Sequence, residues 1–437
     1  MKENGDRRLL GPWMSIAMVM GYMIGSAIFL LPATLAPYGV NALIAWGVTV
    51  GGTMCLALAL AKLAARNPGG PQSYVQQAFG PTAAYFIMWM YWVSVFTSTA
   101  GIAVAFGGAA TATLGGIAGP AWVVPLAICA IFVVAAINLR GVHTAGEFQV
   151  VTTLIKLLPL IGVILVLAFR VGSGRPTEPL APLPISMTSV ATASALILFS
   201  LVGFEAAVVA ARKTRDPERI VPLATLVGTG ATGLLYFVSC TAAMLLLPYA
   251  SAAASTSPFA DAISPTVGAG VGRIFAALTA VSALGALNAS VLIQGEVGQQ
   301  LAQAGDLPRI MARGNSRLAP TVALIVTSVI SALFVSFNAS RSFVGLYVFI
   351  TLISTVASLV FYASGAVAAL KLRLGGLTQM LIVIGLLYAI WTFFGAGLEA
   401  TAWAFALLAV GLPIRTISRW LNGSSPAGEA IPAAPQE

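Results

Sequence analysis

Glu205 and Lys156 are ionisable residues set inside apolar stretches, in FSLVGFEAAVVAA and TTLIKLLPLIGV. An ionised side chain at the centre of a bilayer costs about 2.5–3.5 kcal/mol on insertion scales, so each is a candidate for work that needs a charge. Glu205 can titrate and couple a gate to protons, or it can be a protonated carboxyl bonding a nearby carbonyl. Lys156 can supply a fixed positive charge, or reach the interface along about 10 Å of helix. A second source of chemistry is the backbone. The run Gly21-Tyr22-Met23-Ile24-Gly25-Ser26-Ala27-Ile28-Phe29 carries small residues that either pack against a neighbouring helix or free the chain to bind a ligand. Phe199 to Glu205, with Gly203, offers the same choice a second time. Other chemistries lack their residues. Cys55, Cys129 and Cys240 have no pair spacing, and the lone His143 has no second ligand, so neither metal nor cofactor is expected. Neither an H-E-x-x-H pair nor a G-x-x-x-x-G-K-[ST] loop is present, which argues against an intramembrane protease or an ATP-driven pump.

The elements that carry these residues are membrane spans. The 437 residues are 59% hydrophobic and 8% charged, with a mean hydropathy of +0.95. A soluble domain is about one quarter charged, and a membrane β-barrel alternates apolar with polar residues; this chain does neither. Twelve apolar segments stand out, at 11–35, 41–64, 82–114, 121–140, 149–170, 187–211, 222–247, 270–301, 318–338, 343–370, 376–395 and 398–416. The first shows no cleavage site and is read as a retained span. With both termini on one side, that side holds most of the 22 Lys and Arg. Only Arg170, Arg175, Arg273 and Arg341 lie opposite, and Lys156 falls within a span. The bias predicts cytoplasmic termini and makes the net charge of +9 a signal of orientation, with no nucleic acid implied. The cluster Arg212 to Arg219 can also meet anionic lipid. Residues 1–10 are then a cytoplasmic N-terminus and 417–437 a cytoplasmic tail, whose Ala, Pro, Gly and Ser predict disorder.

The two candidate breaks lie in spans one and six, five spans apart. That spacing fits a five-plus-five inverted repeat, 11–170 and 187–370, followed by two further helices at 376–416. In secondary transporters of the leucine-transporter type, broken helices at matching positions build a site at mid-membrane. Freed N–H groups attract an anion and freed carbonyls a cation, which suits a zwitterion.

The motifs GYMIGSAIFLLPATLA, NPGGPQSY, FSLVGFEAAVVAARKTRDPERIVPLA and SPFADA resemble those of the amino acid–polyamine–organocation superfamily over roughly residues 10–370. Within it, the wording is most like that of arginine/agmatine antiporters. The resemblance implies twelve transmembrane helices with helices 1 and 6 broken. It implies that Gly25, Ser26 and Ala27 hold a substrate carboxylate, and that carbonyls of Met23, Phe199 and Val202 receive the amino group. Phe199 takes the position of an aromatic lid. Tyr91 and Glu205 match an outer gate. Ser94, Val95, Thr99 and Ile102 match the side-chain pocket, and Ser290 stands where a tryptophan is expected. Lys156 matches a lysine that substitutes for sodium in other carriers of the superfamily. Three departures, Ala27 for glycine, Thr99 for asparagine and Ser290 for tryptophan, bear on the substrate. The expected function is amino-acid/polyamine antiport of the arginine/agmatine type, with proton-coupled or exchange transport of neutral amino acids as the alternative. Expected partners are an amino acid or amine, protons, membrane lipids and a second copy in a homodimer. The expected location is the cell inner membrane.

Overall fold

The structure is a computed structural model that describes residues 11–25, 27–66, 71–117, 119–140, 142–205, 208, 214, 216–314, 320–372 and 375–422. The side chains of residues 116 and 142–154 lie outside that description. Helix α1 (Pro12–Met23) opens with Pro at its start, where a missing N–H costs nothing. It stops at Ile24, whose backbone is extended at φ −68°, ψ 92°. Helix α2 (Ala27–Leu35) resumes, and the two halves are bent by 53°. The first apolar segment is thus one broken element.

The scaffold around it is helical throughout: α3 (Val40–Arg66), α4 (Pro71–Leu114), α5 (Val123–Leu139), α6 (Val142–Gly172), α7 (Met187–Leu201), α8 (Pro217–Leu246), α9 (Tyr249–Ala254), α10 (Pro258–Val267), α11 (Ala269–Gln303), α12 (Thr321–Phe337), α13 (Phe343–Leu370), α14 (Gly376–Gly395) and α15 (Gly397–Leu421). Among the described residues, nine helices are long and apolar enough to cross a membrane, or ten with the bent pair counted as one. Helices α7 and α12 are apolar but shorter. The protein is a multi-pass helical membrane protein.

Helices α4 and α13 are the most enclosed of these spans, whereas α14 and α15 present most of their surface outward. Small hydroxyls fasten the interior. Ser354 on α13 donates to the Ser94 carbonyl on α4 at 2.8 Å, and Thr355 donates to the Ala195 carbonyl on α7 at 3.1 Å. In an apolar solvent such side chains find partners on neighbouring helices or on their own preceding turn. One asparagine does similar work at the rim. Asn41 donates to the carbonyls of Tyr38 and Pro184 and accepts from the Ser186 amide, tying the start of α3 to the entry of α7.

Within the segment 187–211, expected to hold a break, helix α7 ends at Leu201. His143 and Glu147 lie in the first turns of α6, which corrects the loop that the gap between the segments 121–140 and 149–170 implies. Gln294, near the polar end of the segment 270–301, is fully buried; Ser331 donates to its Oε1 and its Nε2 donates to Ser328. Glu296 is exposed. The short helices α9 and α10, between the seventh and eighth apolar segments, had no counterpart in the apolar pattern.

Candidate functional site

The break between α1 and α2 leaves backbone groups without helical partners. The Ile24 amide still closes the last turn of α1 on the Met20 carbonyl at 2.8 Å. Across from it, α7 ends in its own break. Val202 turns extended, and Gly203 takes φ 115°, a conformation that L side chains rarely adopt. A Cβ at Gly203 would also stand 3.0 Å from the Tyr22 ring, so both the backbone and the neighbour call for glycine.

A cavity lies between the two breaks. Its wall includes Met23, Gly25 and Ala27 from the first break, and Phe199, Val202 and Glu205 from the second. Helix α4 contributes Tyr91, Ser94, Val95 and Ile102; Ser290 comes from α11 and Lys156 from α6. Twelve of the fourteen residues singled out from the sequence therefore meet at one place. Ser26 lies outside the described residues. Thr99 is the exception and a correction: it is fully buried behind the wall, and its hydroxyl pairs with that of Ser290 at 2.7 Å. The wall also includes Tyr22, Ser200 and Gly203, from the two runs marked in the sequence, and Ser98, Ala286, Ala289 and Ile293, which sequence reading missed. Ser98 was findable, because it follows Ser94 and precedes Ile102 by one turn each on the same face of α4. Ala286, Ala289, Ser290 and Ile293 likewise share one face of α11.

The two charged side chains of the wall are both buried. Lys156 is 1% exposed, which removes the interface-reaching alternative. Glu205 Oε2 accepts from the Gly203 amide and the Tyr362 hydroxyl, both at 3.1 Å, and Oε1 accepts a longer bond from Tyr91 at 3.4 Å. Rings enclose this group: Phe361 lies 4.6 Å from Tyr91, and Phe204 lies 4.7 Å from Tyr362, centroid to centroid.

Position along α13 separates the two ends of the cavity. Phe199 meets Tyr347 edge-on at 6.2 Å, one turn into that helix. Tyr362 lies fifteen residues on, about 22 Å by helix rise, toward Leu370. The adjacent Lys371 donates to the Ala78 carbonyl, and Arg66 donates to the Leu372 carbonyl, so the ends of α3 and α13 share a basic face with the start of α4. Tyr91, Glu205 and Tyr362 stand at the end of the cavity nearer that basic face. The run Trp89-Met90-Tyr91-Trp92 divides its side chains between helix packing and the cavity. Trp89 and Trp92 donate to the carbonyls of Leu407 and Gln294, and Tyr91 alone of the four faces the cavity.

A many-spanned helical protein with two facing helix breaks around a buried, mixed-charge cavity has the build of a secondary transporter. The amino acid permease family matches residues 10–416, and the chain belongs to it; it is a transporter and not an enzyme. It is 30% identical over 408 residues to a putative arginine/ornithine antiporter of Bacillus subtilis (strain 168), covering 84% of this chain and 85% of the relative. It is 28% identical over 323 residues to the putrescine transporter PotE of Escherichia coli (strain K12), covering 72% of each. A cadaverine/lysine antiporter of the same strain is 27% identical over 338 residues, covering 73% of this chain and 72% of the relative.

Proposed function

We propose that this protein is an antiporter that exchanges an amino acid for another amino acid or for an amine across the cell inner membrane. The observation that carries this reading is the pair of helix breaks, at Ile24 to Gly25 and at Val202 to Gly203, opening onto one cavity. The start of α2 turns its N-terminal end, with its positive dipole, toward an anion, and the carbonyls at the ends of α1 and α7 attract an ammonium. That division of labour fits the carboxylate and α-amino group of one substrate, with Gly25, Ser26 and Ala27 on the first and Met23, Phe199 and Val202 on the second. In the proposed arrangement, twelve spans form a five-plus-five inverted repeat, 11–170 and 187–370, with both termini cytoplasmic and this cavity at mid-membrane. Phe199 and Tyr347 then close its outer end, and Tyr91, Glu205 and Tyr362 its inner end.

The names of the relatives support cationic substrates, in keeping with the arginine/agmatine type. A second reading, neutral amino acids, is favoured by one observation: Lys156 is buried on the cavity wall, where its charge opposes a second cation. Glu205 is the group proposed to couple exchange to protons. Membrane lipid is the surrounding solvent, and a homodimer is the proposed assembly. The test is a thermal-shift screen of the purified protein with arginine, ornithine, agmatine, lysine, cadaverine, putrescine, alanine and leucine. Stabilisation by a cationic amino acid and its amine supports the first reading, and stabilisation by alanine or leucine alone supports the second. A flat response to every compound contradicts both.

A further inference from the structure

The break in span one is bridged by a side chain from a remote helix. Tyr236, on α8, is fully buried, and its hydroxyl does two things at once. It donates to the Met23 carbonyl at 2.8 Å and accepts from the Gly25 amide at 3.1 Å. These are the last carbonyl of α1 and an amide released by the break, which a continuous helix would have paired with the Ala27 amide and the Gly21 carbonyl, so one phenol partners two groups that the break leaves over. On the far side, the Tyr347 hydroxyl donates to the Ala27 carbonyl at 3.0 Å. Buried backbone groups without partners are costly, and rewinding the chain would satisfy them. The Tyr236 oxygen removes that incentive.

We propose that Tyr236 is a positioning residue for transport, a clasp that holds Met23 to Gly25 unwound and ready in the absence of substrate. The inference rests on the reading of this cavity as the substrate site. Tyr236 is absent from the cavity wall, so it acts through the backbone that meets the substrate's charged groups and not through the side chain that distinguishes one substrate from another. Removing its hydroxyl therefore weakens all substrates by a common factor. A side-chain pocket residue would change their ratios instead.

The experiment compares exchange by wild type and Tyr236→Phe in proteoliposomes with arginine, ornithine, alanine and leucine, alongside hydrogen exchange of the Gly25 amide in substrate-free protein. The account expects KM to rise about tenfold for every substrate transported, with Vmax within twofold, for the loss of two hydrogen bonds of ordinary strength. It also expects slow exchange of the Gly25 amide in wild type and faster exchange in Tyr236→Phe. An unchanged KM, or a rise for one substrate only, overturns the proposal. If wild type transports nothing, the transport reading fails on its own and the amide exchange still decides whether the clasp exists. If Tyr236→Phe does not fold, rapid exchange of the Gly25 amide in wild type overturns the clasp and slow exchange supports it.

Discussion

The Glu205 carboxylate, just past the end of α7, accepts a hydrogen bond from the hydroxyl of Tyr362, 157 residues further along the chain, at 3.1 Å. That bond joins the second helix break to the enclosed helix α13. Together with Tyr91 it fixes a carboxyl group where one end of the cavity narrows between aromatic rings. An acidic group in such a place can report protonation directly to the segment that must move.

Glu205→Gln keeps the shape and a hydrogen-bonding oxygen but cannot titrate. Exchange by this variant is expected to lose most of the pH dependence of the wild type while retaining measurable rate. Initial rates across pH 5 to 8 check it, and a variant profile superimposable on the wild type shows that another group carries the coupling. A lower rate alone decides nothing here.

Lys156 sets a buried amine on the cavity wall. Lys156→Met is expected to abolish sodium-independent exchange of alanine and leucine if the lysine stands in for a cation. Labelled exchange in sodium-free buffer is the check. Robust arginine/agmatine exchange that is indifferent to Lys156→Met would refute the argument for neutral substrates.

The hydroxyl of Ser290 on the cavity wall is held by Thr99 behind it at 2.7 Å. Thr99→Val preserves volume and frees that hydroxyl. The ratio of KM values between a polar and an apolar substrate is expected to shift roughly two- to fivefold, the worth of one ordinary hydrogen bond. Identical ratios in variant and wild type would show that Ser290 does not read the substrate.

The C-terminal helix is fastened to the linker after α11 by a buried ion pair: Arg415 Nε meets Asp306 Oδ1 at 2.8 Å, with Arg419 on the same carboxylate at 2.9 Å. Removing one partner of a buried pair typically costs about 3–5 kcal/mol. Asp306→Asn is expected to lower the melting temperature in detergent by several degrees without changing KM. A change in KM with no loss of stability would place this latch in the transport cycle instead.

The sequence pattern marked the apolar segments, the two runs where helices end and the buried Glu205 and Lys156, because apolar runs, glycine and isolated charge each leave a one-dimensional trace; most of the other expected wall residues came from the family resemblance. Its failures have physical reasons. Tyr236 acts across 213 residues and Tyr362 across 157, and a lone tyrosine in an apolar span looks like any other core ring. Thr99 belongs to the same helix as Ser94 and Ile102, but it faces α11, and only packing decides which hydroxyl meets the cavity. Helices α9 and α10 are too short to form a span-length apolar run. That Glu205 lies toward the basic end of α13 emerges only from the fold, through its bond to Tyr362.

The central claim is obligatory exchange through this cavity, and counterflow tests it most directly. Proteoliposomes containing the protein are loaded with unlabelled arginine or left empty, and uptake of labelled arginine is followed, with ornithine, agmatine, alanine and leucine as parallel pairs. The account predicts rapid accumulation of label in vesicles loaded with a substrate, one molecule in for one out, and almost none in empty vesicles. Equal uptake into loaded and empty vesicles, or no uptake for any pair, would contradict it.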